Sequence, residues 1–185
     1  MQTIVTLTLN PAIDKSSTTD SVASEIKIRC TAPTYDPGGG GINVSRAVNK
    51  LAGDSLAVYA AGGPPGTMLQ TLLEAEGINQ QPIAIQHWTR ENLSIYEESS
   101  GLQYRFGLPG TEMTDEEWQR CLDAVVMAEA DYVVASGSLP PGVPTDVYKQ
   151  LAQRITSTHS RLIVDTSGAA LEALKGANVY LLKPN

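Results

Sequence analysis

Residues Asp36 to Asp54 read DPGGGGINVSRAVNKLAGD, so four glycines, Gly38 to Gly41, run straight into a pattern of helical period. Glycine is a poor helix former and loses more conformational entropy on folding than any other residue. A backbone without Cβ atoms lets a polar ligand lie against main-chain N–H groups. The dipole of the helix behind it favours oxygen-rich or anionic groups. No Gly-Lys-Ser/Thr follows at P-loop spacing, and the run does not give the Gly-x-Gly-x-x-Gly dinucleotide fingerprint. Spacing alone fits a ligand cradle and a plain tight turn equally well.

Basic side chains form the second group. In EIKIRC, Lys27 and Arg29 alternate with Ile26, Ile28 and Cys30. In QYRF, Gln103 and Arg105 share one strand face, opposite Leu102, Tyr104 and Phe106. Arg90 lies in WTREN, just before that hairpin. The guanidinium fork matches phosphate oxygens, although charges on a solvated strand face also discourage edge pairing. Asp14 follows the first strand through NPAID, where it fits a general base, a hydroxyl acceptor or a turn aspartate. Ser138, in SGSLPPG, follows another strand. His87 and His159 have no partners at ligand or triad spacing and read as surface residues.

The elements that must position these residues alternate. IVTLTL (4–9), LAVYAA (56–61), YVVAS (132–136), RLIVD (161–165) and VYLL (179–182) read as buried strands. Val44, Ala47, Val48 and Leu51 predict one inward helical face, closed by Gly53. A helix from about residue 67 turns Leu69, Leu72 and Leu73 inward. Thr114 with Glu117 forms a capping box ahead of Trp118, Leu122, Val125 and Val126. Thr145 reads as the cap of a helix burying Tyr148, Leu151, Ala152 and Ile155, and Ser167 as the start of a short one. Strands alternating with helices imply parallel βαβ units in a doubly wound α/β sheet. Residues 15–35 and 93–107 break that alternation. Their period of two predicts half-buried antiparallel strands in a small projecting sheet.

The bulk numbers fit one soluble domain: 185 residues, 42% hydrophobic and 18% charged. A net charge of −7 argues against a general nucleic-acid binder but leaves room for a small anion held by local arginines. Cys30 and Cys121 lack metal-ligand spacing and read as free thiols of a reducing cytoplasm. No stretch has the length of a membrane span.

TLNPAID, PGGGGINVSRAVNKL, TREN, SGSLPPG, VDTSG and LLKPN, in this order along the whole chain, resemble the ribokinase-like (pfkB-type) carbohydrate kinase family, in its sugar-phosphate branch. The resemblance implies a doubly wound, mostly parallel core built from residues 1–14, 36–89 and 108–185, here incomplete. Residues 15–35 and 90–107 become a β lid that pairs into a homodimer. It also implies ATP-dependent phosphorylation of fructose 6-phosphate with Mg2+, in the cytoplasm, without nucleic-acid or membrane partners. Tagatose 6-phosphate, fructose 1-phosphate and a non-catalytic sugar-phosphate binder are the alternatives. By resemblance, Asp14 and Asn43 hold sugar hydroxyls, and Gly38 and Gly39 lie against the sugar. Arg29, Arg90, Gln103, Arg105 and Ser138 serve the sugar-phosphate side. Lys27, Lys183 and Asn185 serve Mg–ATP, with Lys27 reaching across the dimer. Asn185 matches the first residue of the family's Asn-x-x-Glu motif. The Glu of that motif and the catalytic aspartate in Gly-x-Gly-Asp have no counterpart here. The 185 residues are therefore expected to be an inactive N-terminal fragment that contributes no catalytic residue.

Overall fold

The computed structural model describes residues 2–157 and 159–184. A six-stranded, all-parallel sheet forms its centre. The strands are β1 (Ile4–Thr8), β4 (Leu56–Ala61), β5 (Gln80–Ala84), β8 (Tyr132–Ser136), β9 (Arg161–Thr166) and β10 (Leu181–Pro184), in the spatial order β10-β9-β8-β1-β4-β5. The chain winds outward from β1 to β5, then returns to build from β8 to β10 on the other side. The switch point therefore lies between β1 and β8. In open α/β sheets the carboxyl ends of the strands at that point form a crevice.

Alternation along β4 divides the core. Val58 and Ala60 join Val5, Leu7 and Leu9 beneath α3 (Asp115–Met127) and α4 (Val147–Arg154). Ala57, Tyr59 and Ala61 pack with Ile42 of α1 (Gly40–Lys50) and with Leu69 and Leu73 of α2 (Gly63–Ala75). α5 (Gly168–Ala173) adds Ala170 to the first cluster. Each side thus closes a fully buried strand face, as a parallel sheet requires.

The α1 face differs from expectation. Gly41, Ile42 and Ser45 meet the sheet, whereas Ala47 is exposed and Leu51 is 84% exposed. The cause lies in β1, whose Thr6 and Thr8 point at α1. Thr6 Oγ1 and Ser45 Oγ share a buried hydrogen bond of 2.9 Å. The Ile42 N–H donates to Thr8 Oγ1 at 2.9 Å. These small polar contacts draw the helix close, which the apolar stripe alone could not reveal.

A second, four-stranded sheet has the order β3-β2-β6-β7, built from β2 (Ala12–Thr19), β3 (Thr34–Gly38), β6 (Arg90–Glu97) and β7 (Gln103–Phe106). It is mixed. β2 runs antiparallel to β3 but parallel to β6, and β7 is antiparallel to β6. Residues 25–30 are not a strand. They lie in a 20–33 strap, and the strand is the polar AIDKSSTT segment before it. The strap is pinned by Val22 N–H to Glu97 Oε1 (2.6 Å) and by Thr19 Oγ1 to the Arg29 carbonyl (3.0 Å).

Smaller differences have local causes. α2 starts at Gly63 because proline suits its first turn. The residue before α4 is Asp146, not Thr145, and no side chain caps that helix. β10 begins at Leu181. The Tyr180 ring, just before it, sits 5.1 Å from the Arg161 guanidinium and edge-on to Tyr132.

The α3 capping box is complete. Glu117 N–H donates to Thr114 Oγ1 at 3.3 Å, and Thr114 N–H to Glu117 Oε2 at 2.8 Å. Glu117 also accepts the Gln86 N–H at 2.6 Å, tying α3 to the loop after β5. Burial pushes the Glu117 pKa up, but these N–H donors outweigh it and leave it below the ordinary value. A depressed carboxylate stabilises the fold above its unfolded pKa and loses that contribution as pH falls through its folded pKa. Thr114→Ala should cost about 1 kcal/mol in urea unfolding. The Glu117→Gln and wild-type stability curves should converge as pH drops below about 4.3.

Candidate functional site

The site is assembled where α1 begins. Gly39 has φ +127°, a conformation that L side chains rarely adopt, and it turns the chain from β3 into α1. Gly40 and Gly41 allow contact that a methyl group would block. A Cβ on Gly41 would lie 2.6 Å from the Leu7 carbonyl oxygen, and one on Gly40 would strike Ser136. A Cβ on Gly38 would collide with the Asp14 carboxylate, 2.7 Å from Cγ. The four glycines therefore let α1 and β3 press against β1, β8 and Asp14 together.

A cleft of about 690 Å³ opens on the face of the small sheet. Asp14, Ser16, Asp36, Asn92, Ser94, Gln103 and Arg105 line it. Ladder register explains the grouping, because Asp14 pairs with both Asp36 and Asn92, and Ser94 pairs with both Ser16 and Arg105. Asn92 Nδ2 donates to Asp14 Oδ1 at 2.8 Å, and Asn92 Oδ1 accepts the Leu108 N–H at 3.2 Å. The amide thus fixes the Asp14 carboxylate and leaves Oδ2 toward the Gly38 ledge. Gln103 is oriented by a 2.7 Å bond to Ser94 Oγ. A cleft lined by the Asp14 and Asp36 carboxylates, the Lys15 ammonium and the exposed Arg105 guanidinium can hold a molecule carrying both hydroxyls and an anion. A second hollow, of about 260 Å³, lies at the amino ends of β1 and β4, where Asp54 is its one charged lining residue.

Arg90 is placed differently. Its Nη1 donates to the Leu108 carbonyl at 3.0 Å and its Nη2 to the Asn10 carbonyl at 3.2 Å. Its Nε is buried with no partner among the described residues. Burial lowers its pKa, and the Asp14 charge opposes that shift. Asn10 in turn donates from Nδ2 to Ser138 Oγ at 3.0 Å. Arg90, Asn10 and Ser138 therefore form one network at the switch point. Asn43 is exposed on the first turn of α1, just past the ledge.

Lys183 approaches from the β10 side. Its Nζ lies 3.2 Å from Asp165 Oδ1, and Asp165 Oδ2 accepts from Ser136 Oγ at 3.1 Å, beside Gly40. Asn185 lies outside the described residues. Arg29 and Lys27 are not in the cleft. They are exposed on the strap, whose anchor at Thr19 lies five residues along β2 from Asp14, about 17 Å at the usual strand rise. Asn92 lines the cleft without having been singled out by the sequence, and Arg29, expected on the sugar-phosphate side, lies outside the cleft of its own chain. The TREN segment contains Asn92, but only its parallel pairing with Asp14 gives it a role. Among the described residues, no three His, Cys, Asp or Glu side chains group to hold a metal ion. No described helix is long and apolar enough to cross a membrane. Cys30 is an exposed free thiol, and burial pushes the Cys121 thiol up to about 12.

Known proteins are similar to this chain. The chain is 46% identical over 182 residues to the ATP-dependent 6-phosphofructokinase isozyme 2 of Mycobacterium tuberculosis, covering 97% of this chain and 53% of that protein. It is 43% identical over 187 residues to the isozyme 2 of Escherichia coli, covering 100% of this chain and 60% of that one. The crystal structure of phosphofructokinase-2 from Escherichia coli in complex with fructose-6-phosphate matches with a TM-score of 0.95 at 43% identity, over 100% of this chain and 62% of that chain. The chain spans 53% to 60% of the length of these curated relatives. The family described as pfkB family carbohydrate kinase matches residues 4–185, so the glycine ledge, the Asp14 cleft and the β10 edge all lie inside the matched region, and the chain belongs to that family.

Proposed function

We propose that this chain carries the acceptor site of an ATP-dependent kinase that phosphorylates fructose 6-phosphate to fructose 1,6-bisphosphate. The observation that carries this reading is the single cleft joining Asp14, held by Asn92, to Gln103 and Arg105. Asp14 and Asn43 accept and donate to sugar hydroxyls over Gly38 and Gly39. Arg105 and Gln103 face the phosphate, while Arg90 and Ser138 close the switch-point side. The relatives' own activity, 6-phosphofructokinase, supports the choice of acceptor.

Phosphoryl transfer needs positioning and charge stabilisation more than covalent help from the protein. The donor, ATP, supplies the phosphoryl group. Lys183, beside Asp165 and one hydrogen-bond step from the ledge, is suited to its phosphates. Mg2+ usually keeps several waters and reaches kinase sites through substrate phosphates. Residues 15–35 and 90–107 act as a lid on the remaining core. Leu102 and Phe106, 58% and 53% exposed, give that lid an apolar margin for pairing with a second copy. In such a homodimer the strap could carry Lys27 and Arg29 toward the neighbouring cleft.

Calorimetric titration of the 185-residue chain tests the acceptor site. Fructose 6-phosphate should bind more tightly than tagatose 6-phosphate, fructose 1-phosphate or inorganic phosphate. No detectable binding of any phosphosugar, together with no ADP release by the complete gene product, would overturn the reading. Arg105→Ala should weaken fructose 6-phosphate by roughly ten- to a hundredfold, the usual worth of a charged hydrogen bond. Gly38→Ala should weaken it by at least about tenfold, because the new methyl displaces the Asp14 carboxylate that orients the sugar.

A further inference from the structure

Arg46 lies in α1 beyond the ledge and touches none of the residues assigned to the sugar. Its side chain is only 19% exposed. The guanidinium forms a fork on Glu76, with Nε to Oε2 at 2.7 Å and Nη2 to Oε1 at 2.7 Å. That leaves Nη1, which donates to the Pro37 carbonyl at 3.1 Å. Glu76 sits at the C-terminal end of α2, and its own carbonyl accepts Asn49 Nδ2 at 3.0 Å. α2 is anchored in the core through Leu69 and Leu73. One rigid, planar group therefore connects a core helix to the last residue before Gly38.

The choice of Pro37 matters. Proline has no N–H, so its carbonyl is the only main-chain group by which that residue can be held. Pro37 pairs with Ile13, and Gly38 with Ala12, while Gly38 lies against the Asp14 carboxylate. A shift of the Pro37 carbonyl must move Gly38 relative to Asp14. The Arg46 charge is already matched by Glu76 and by Asp36, whose Oδ1 lies 3.8 Å away.

We propose that the Arg46–Glu76 fork is a positioning device for the acceptor site, setting the height of the Gly38 ledge against Asp14. The inference rests on the sugar-phosphate reading above. Its action is geometric, and a lysine at position 46 keeps the charge but loses the fork.

The test compares wild type with Glu76→Gln, Arg46→Lys, Arg46→Met and the distant capping-box variant Thr114→Ala. Three quantities are read: melting temperature, the fructose 6-phosphate Kd, and amide hydrogen exchange at residues 36–41. Both Arg46 variants and Glu76→Gln should weaken the sugar phosphate by roughly tenfold, the scale expected when a reacting group is slightly misplaced. Exchange at residues 36–41 should quicken in all three. Thr114→Ala should lower the melting temperature while leaving Kd and that exchange unchanged. Full rescue by Arg46→Lys would reduce the role to charge and overturn the proposal. So would a folded Glu76→Gln with wild-type exchange at 36–41, even if wild type binds no sugar phosphate. Absent binding in wild type bears on the acceptor reading instead, which falls when ADP release is absent as well.

Discussion

The closeness of α1 to the strands beneath it governs the whole arrangement. Gly41 rests on the Leu7 carbonyl and Gly40 on Ser136, while Thr8 Oγ1 takes the Ile42 N–H. A single methyl group at either glycine would lift the helix start away from the switch point. The resulting gap would separate Asp14, reached through β2, from Ser136 and Asp165 at the ends of β8 and β9. The entropy lost in ordering consecutive glycines is offset by contacts that no other residue permits. The run is thus a packing requirement first. The exposed main chain it presents to a ligand follows from that packing.

The small sheet imposes a second constraint. β2 leaves the switch point and runs parallel to β6 for eight residues. Parallel pairing needs a long connection, and here it brings Asp14 to Asn92 across 78 residues of chain. The antiparallel hairpin from β6 to β7 then delivers Arg105 to the same face. Four strands, β2, β3, β6 and β7, contribute polar residues to one surface. A one-residue slip would turn every one of them to the opposite face.

The large sheet was largely legible in the sequence, since β1, β4, β8 and β9 are apolar runs and the Thr114–Glu117 box marks α3. β2 was not, because its only strongly apolar residue is Ile13, and the run from Asp14 to Thr18 is polar and half-buried. EIKIRC has the better alternation, yet it lies in the strap. Alternation reports a half-buried strand only where a partner strand exists, and residues 25–30 have none. The α1 face was misread for a related reason. Val44, Ala47, Val48 and Leu51 form the apolar stripe, but hydrogen bonds from Thr6 and Thr8 selected the Gly41–Ile42–Ser45 side. Of the residues singled out from the sequence, Asp14, Gln103 and Arg105 line one cleft and Gly38 lies against the Asp14 carboxylate, whereas Arg29 and Lys27 are exposed on the strap of the same chain. Asn92 was hidden because its role exists only through register.

The two arginines flanking Asp14 show how far residue type alone can carry such a reading. Both were selected as guanidinium forks matched to phosphate. Arg105 sits exposed on an outer strand of the small sheet, at the cleft rim, where its donors face solvent or an anion. Arg90 spends two donors on the Leu108 and Asn10 carbonyls and is partly desolvated. Those bonds lock the start of β6 to the Asn10 loop and to the segment after β7. A buried charge held by carbonyls and a nearby carboxylate contributes field and rigidity at the site. The same side chain is thus open to solvent at one position and tied to two loop carbonyls at the other, and the difference is set by what the neighbouring backbone leaves unsatisfied.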